Sequence, residues 1–286
     1  MIDFRTDLAI EEVTDEVKDV SILPSCEIKE LNLKMYGQKK TAKKSGLYYT
    51  LSFDAVLEHE HDRLDDVAKS LSFVLKRLLE RANLTLKSHL LIVGLGNTAI
   101  TPDSLGPKVI NNIFVTKHLD DLNELDENLG IISAIAPGVM GQTGMETANI
   151  IKAIVRNEKP KGVIVIDALA SKSIYRLNKT IQVTTAGINP GSGVGNRRKE
   201  LSEDTLGVPV IAIGVPTVVD MASILYDAFS GVTNGSKMIE KGIKNIQDNR
   251  ANFMVSSKTI DEEILMLSDV ISKGINEAIH HLEDYE

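Results

Sequence analysis

Four runs, 90–93 (LLIV), 131–136 (IISAIA), 162–166 (GVIVI) and 208–216 (VPVIAIGVP), are apolar almost without interruption. A strand with one wet face alternates polar and apolar side chains; these do not, so they read as strands covered on both faces of a sheet. Such cover takes helices, and the intervening segments supply them. Leu64, Val67, Leu71, Val74, Leu75 and Leu78 follow the helical period within 62–83. Further helices are expected over 108–119, over 148–155 behind a Thr143–Glu146 capping box, over 218–229, and from a Thr259–Glu262 capping box to about residue 281. Strands and helices in alternation give an α/β fold, a three-layer sandwich around a mostly parallel mixed sheet.

Two stretches, 27–37 (EIKELNLKMYG) and 47–56 (LYYTLSFDAV), alternate instead and flank a glycine-bounded turn. They read as a β-hairpin subdomain at about 27–56, inserted in a single domain that no linker divides. Lys39, Lys40, Lys43 and Lys44 at its tip read as a solvated turn. Weaker strands are expected at 181–185 and 252–256, and loop plus helix over 231–250. Residues 1–26, acidic and aperiodic, read as an extended arm or loosely attached terminus.

A hydrophobic content of 43% over 286 residues supports a substantial core. The net charge of -8 gives the chain no overall pull toward nucleic acid or an anionic membrane, so neither is an expected partner. A single cysteine, Cys26, excludes an internal disulfide, and no apolar run of membrane-spanning length lies near either end. The expectation is a soluble, intracellular protein.

Two acids stand where chemistry gathers in such folds, at the carboxyl ends of parallel strands. Asp103 follows the first run and its Gly94-Leu95-Gly96-Asn97 turn, held between Pro102 and a Pro107 expected at the first helical position. Asp167 follows the third run directly. Paired carboxyls cannot both ionise easily; one keeps a proton, and the pair can activate a water and protonate a leaving group. The plainer alternative is that each acid caps a turn.

Other constellations are weaker. Gly94, Gly96 and Ala99 fit a dinucleotide fingerprint, but the prolines leave no room for the helix that would hold a pyrophosphate. The Gly187–Arg198 loop lacks the lysine of a phosphate-binding loop. His59 and His61 make a lone H-x-H pair without a third ligand. No serine sits in a nucleophile elbow, and Cys26 lies among acids, a poor setting for a thiolate.

The stretches 93–107 (VGLGNTAITPDSLGP), 136–147 (APGVMGQTGMET), 162–171 (GVIVIDALAS), 184–198 (TTAGINPGSGVGNRR), 213–220 (IGVPTVVD) and 5–11 (RTDLAIE) resemble the germination protease family of endospore-forming bacteria. The resemblance spans nearly the whole chain. It implies a fold similar to that of the hydrogenase maturation proteases, and an atypical aspartic endopeptidase without cofactor or metal. The implied substrates are the small acid-soluble spore proteins, degraded during germination; the implied place is the cytoplasm of forespore and spore core. Asp103 and Asp167 map onto the family's catalytic aspartates.

The resemblance further implies a homotetramer made as a self-processing zymogen. Thr6-Asp7-Leu8-Ala9-Ile10-Glu11 is similar to the segment cut in the family's substrates, which places self-cleavage between Asp7 and Leu8. Residues 1–7 are then the propeptide and 8–286 the peptidase domain, with Gly96, Asn97, Arg197 and Arg198 as substrate-facing candidates. The alternatives are a metal-dependent maturation protease, or an α/β protein that holds a nucleotide and catalyses nothing.

Overall fold

In the computed structural model the described residues are 6–13, 17–34, 43–54, 61–191, 198–229, 242 and 253–280. Lys39, Lys40, His59, Arg197 and, Gly242 apart, the segment 231–250 lie outside them. Among the described residues the strands are β1 (Lys18–Asp19), β2 (Glu27–Leu33), β3 (Gly46–Ser52), β4 (Leu90–Gly94), β5 (Ile132–Ile135), β6 (Gly162–Ser171), β7 (Thr180–Thr184), β8 (Val210–Asp220) and β9 (Met254–Val255). The helices are α1 (His61–Arg81), α2 (Leu105–Asn111), α3 (Lys117–Asp121), α4 (Met140–Thr143), α5 (Thr147–Glu158), α6 (Glu203–Leu206), α7 (Met221–Phe229) and α8 (Ile260–Ile279).

All strands join one mixed sheet in the order β1-β2-β3-β7-β8-β6-β4-β5, with β9 on the end of β8. The four apolar runs form its parallel half, β5-β4-β6-β8; the remaining pairings are antiparallel. The hairpin is β2–β3, and β3 pairs with β7 from Tyr48–Thr184 to Ser52–Thr180, so its strands continue the main sheet.

Strand alternation divides the core in two. Ile92, Ile164, Ile166, Ile181 and Ile213 face α1, α2 and α8, while Leu91, Val93, Val163 and Val165 face α5 and α6. This is the three-layer sandwich that the doubly apolar runs require.

Three local expectations fail for physical reasons. The helix expected over 108–119 breaks into α2 and α3, because buried Thr116 donates its hydroxyl to the Gly130 carbonyl at 2.5 Å and accepts from Ile132 N–H, anchoring the chain beside β5. Thr143 does not cap α5; its hydroxyl accepts from Met145 N–H, and Glu146 occupies the cap position. Thr259 precedes α8 with no side-chain cap bond, its hydroxyl lying 3.1 Å from Glu263 Oε1.

Candidate active site

The end of β4 and the start of α2 meet backbone to backbone. A Cβ on Gly94 would lie 2.3 Å from the Gly106 carbonyl oxygen, and one on Gly106 would lie 2.2 Å from the Leu95 oxygen. Gly96 adopts φ +124°, and a Cβ there would fall 1.9 Å from the Asp103 carbonyl oxygen, which instead accepts Asn97 N–H at 2.8 Å. The glycines of this turn therefore seat the single 3-10 turn Thr101–Asp103. Helix α2 begins at Leu105, two residues before the expected start, so Pro107 is its third residue. A proline is tolerated there because the first four N–H groups of a helix have no partner within it.

Asp167 is not the last residue of its strand, as the sequence suggested. β6 runs on to Ser171, but its pairing with β4 stops at Gly94–Ile166, so Asp167 is the first residue past its neighbour's end. β8 likewise passes through Pro216 rather than ending there. The register slips between Leu169–Pro216 and Ala170–Val218, leaving Thr217 as a bulged extra residue. A proline, which cannot donate to a ladder, suits such a position. The bulge aims Thr217, whose hydroxyl donates to the Pro102 carbonyl at 2.7 Å and ties the Asp103 turn to the sheet.

Asp103, Asp167, Asp7 and Arg198 line one cavity of about 410 Å³, with Gly96 and Asn97 on its wall. Burial raises the Asp167 pKa well above the ordinary carboxylate range, and the charges of Asp103 and Asp7 push it further the same way; Ala168 N–H and Arg198 oppose them. Asp103, less buried, is also raised by desolvation, with Arg198 and Asn97 N–H acting against the shift. The cluster therefore retains a proton at a pH where isolated aspartates have lost theirs. Among the described residues no group of three or more His, Cys, Asp or Glu could hold a metal ion. No helix opens at Gly94–Ala99, so the dinucleotide fingerprint lacks its anion-binding turn.

The amino-terminal segment, expected as an extended arm or a loosely attached terminus, is packed over residues 6–11. Leu8 and Ala9 are fully buried and Ile10 nearly so. Leu8 and Ile10 pack on Leu169, and Ala9 on Leu31, Leu33 and Tyr48, covering sheet that α5 and α6 leave bare. Burying Leu8 alone is worth about 2 kcal/mol. Glu11 pins the far end, accepting from Ser171 Oγ at 2.9 Å, Lys172 N–H at 2.8 Å and the Thr6 hydroxyl, with Arg176 at 3.6 Å. Lys43, read as a solvated tip residue, donates to the Thr6 carbonyl at 2.7 Å and pairs with Glu12; Lys44 pairs with Glu200.

The two acids singled out from strand ends thus share a cavity with the first residue of the suggested self-cleavage pair, while Leu8 turns into the core. Gly96, Asn97 and Arg198 line the same cavity. Sequence reasoning passed over Gln182, which bonds both Asp7 and Ala9, and over Glu11 and Thr217. Gln182 left one signal, a polar side chain buried inside the apolar strand TIQVT.

The fold is thus an α/β sandwich with Asp103 and Asp167 past the ends of paired parallel strands and Asp7 of the amino-terminal segment lining the same cavity. The chain belongs to the germination protease family, whose profile matches residues 5–245. It is 41% identical to the germination protease of Caldanaerobacter subterraneus, over 98% of this chain and 95% of that one. The Clostridium tetani protein is 42% identical over 96% and 86% of the two chains, and that of Bacillus subtilis 35% over 96% and 93%. Among solved structures, the [NiFe] hydrogenase maturation protease HycI of Thermococcus kodakarensis covers 71% of this chain and 98% of its own, with TM-score 0.36 and 16% identity. Among the described residues no helix is long and apolar enough to cross a membrane.

Proposed function

We propose that this protein is an endopeptidase of the spore core that cuts small acid-soluble spore proteins during germination. In this reading it assembles as a homotetramer and is made as a zymogen that processes itself between Asp7 and Leu8. The observation that carries the reading is the presence of Asp7 in the same cavity as Asp103 and Asp167.

The environments of the two acids support a division of roles. Asp103, less buried and facing Arg198, is the readier to ionise and takes a proton from a water molecule. The water oxygen adds to the Asp7 carbonyl carbon. Asp167, buried and held protonated by its neighbours, gives its proton to the Leu8 nitrogen as the C–N bond breaks. The products are a free carboxyl on Asp7 and a free amine on Leu8. The two acids titrate as a unit, and the competent form carries one proton. Acidification into that range starts processing.

The test follows the mass of the purified full-length chain as pH is lowered, together with cleavage of an added spore protein. Loss of residues 1–7 on acidification, absent in Asp103→Asn and Asp167→Asn, is expected. Processing retained in either variant removes that residue from the mechanism.

A further inference from the structure

Gln182 reaches the Asp7–Leu8 junction from beneath. Its Nε2 donates to the Asp7 carbonyl oxygen at 3.2 Å, and its Oε1 accepts Ala9 N–H at 2.7 Å. A backbone N–H demands an acceptor and a backbone carbonyl a donor, so the two contacts fix the amide in one orientation. The side chain is 6% exposed.

The sheet register ties this amide to the acids. Gln182 pairs with Gly214 on β8, and Gly214 pairs with Asp167 on β6, so the three stand in one row. Residues directly opposite point to the same face, which puts Gln182 and Asp167 on the same side, about 10 Å apart at Cα. Gly214 adds no side chain between them; a Cβ there would lie 2.4 Å from Leu169 Cδ1, the side chain on which Leu8 rests. The row thus presents an acid at one end and an amide at the other, with the apolar seat for Leu8 between.

We infer that Gln182 is a catalytic residue of the Asp7–Leu8 cleavage, donating to the carbonyl oxygen on which negative charge develops. The inference rests on the proposal above that this is the bond cut. When water adds to the Asp7 carbonyl carbon, its oxygen becomes an oxyanion, and a buried donor already aimed at it strengthens its bond without reorganising. The Oε1 contact on Ala9 holds the amide in place while this happens. In an added substrate the same grip falls on the carbonyl before the cut and on the N–H two residues after the carbonyl's own, once the cut has let residues 8–11 of the processed chain leave the row.

The test measures the first-order rate at which full-length chain loses residues 1–7, by mass, for the wild type, Gln182→Glu and Gln182→Met. Hydrogen exchange of residues 7–11 is read in parallel in an Asp167→Asn background. Both variants are expected to process about 100-fold more slowly, the usual cost of losing one such donor. Gln182→Glu keeps an acceptor for Ala9, so exchange protection of the arm is expected to persist in it. A rate within threefold of wild type overturns the inference, as does a slowdown that only tracks loss of arm protection. A second measurement leaves the fold untouched: the processed wild-type chain is given a peptide with the sequence of residues 6–11. N-methylation at the Ala9 position, which deletes the N–H that Gln182 accepts, is expected to lower kcat/KM about tenfold; an unchanged value overturns the inference. A wild type that never cuts at Asp7–Leu8, or an Asp167→Asn chain that does, sinks the underlying proposal instead.

Discussion

Asp7 and Ala170 exchange two hydrogen bonds: Asp7 N–H donates to the Ala170 carbonyl at 2.9 Å, and Ala170 N–H donates to Asp7 Oδ2 at 2.9 Å. The first bond is one that a neighbouring strand would make. The second puts a side-chain carboxylate where that strand would place its own carbonyl. β6 has this edge to offer because β4 stops opposite Ile166, four residues earlier. The amino-terminal segment thus docks on the free edge of β6 through one main-chain bond and one side-chain bond, without forming a strand. The side chain read at this point is an acid.

Removing that acid separates the bond from the charge. Asp7→Ala leaves Ala170 N–H without its acceptor, and processing is expected to slow by about 10- to 100-fold, the range for a hydrogen bond to a charged group. Asp7→Asn keeps an oxygen in reach and is expected to fall between. The rate of mass loss across the three chains checks the order; an Asp7→Ala chain that processes at the wild-type rate contradicts it.

Asp167 carries a stability cost that its substitution reveals. A carboxyl whose pKa is raised on folding stabilises the fold fully below its unfolded value of about 3.9, and the contribution is lost as pH rises through the raised value. At pH 7 the wild type bears this cost and Asp167→Asn does not, while the Ala168 N–H bond to the side-chain oxygen survives the change. The variant is expected to melt several degrees higher at pH 7, with the difference vanishing below pH 4. Thermal melts at the two pH values decide it; a lower Tm at pH 7 counts against the buried charge.

What could be read from residue order, and what could not, follows the range of the interactions. The positions of Asp103 and Asp167 were legible because parallel strands advertise themselves as apolar runs and the acids follow those runs closely. The docking of Leu8 and Ala9 was not, because the acceptor for Ala9 N–H sits on Gln182, 173 residues away. The ends of β6 and β8 were misplaced for a related reason. Asp167 and Pro216 look like terminators locally, yet pairing between Ala170 and Val218 carries both strands on, with Thr217 expelled as the bulge. The capping boxes failed because Thr143 and Thr259 found nearer partners, in Met145 N–H and the Ser257 and Glu263 side chains, than the spacing rule assumes.

Gly96→Ala strikes the Asp103 turn without touching an acid. The added methyl would meet the Asp103 carbonyl 1.9 Å away at a backbone φ that only glycine adopts readily. Asp103 must move, and the Asn97 N–H bond to it breaks. Activity is expected to fall by 100-fold or more, with a stability loss of about 2–4 kcal/mol. Denaturant melts and processing assays on the same preparation test both; normal activity in a folded Gly96→Ala chain contradicts the role assigned to the turn.

The charge on Arg198 and the charge on Asp7 act on the same protons with opposite sign. Arg198 lowers the pKa of both Asp103 and Asp167, and Asp7 raises that of Asp167. In Arg198→Gln both acids hold their protons to higher pH, so the singly protonated pair forms earlier on acidification and the processing midpoint moves up. In Asp7→Asn one of the charges holding the Asp167 proton is gone, and the midpoint moves down. Maximal rates fall in both variants for reasons of binding, so the midpoint of the pH profile is the quantity to compare, taken from single-turnover mass loss at matched ionic strength. Midpoints that move in the same direction would mean that these charges do not set the trigger.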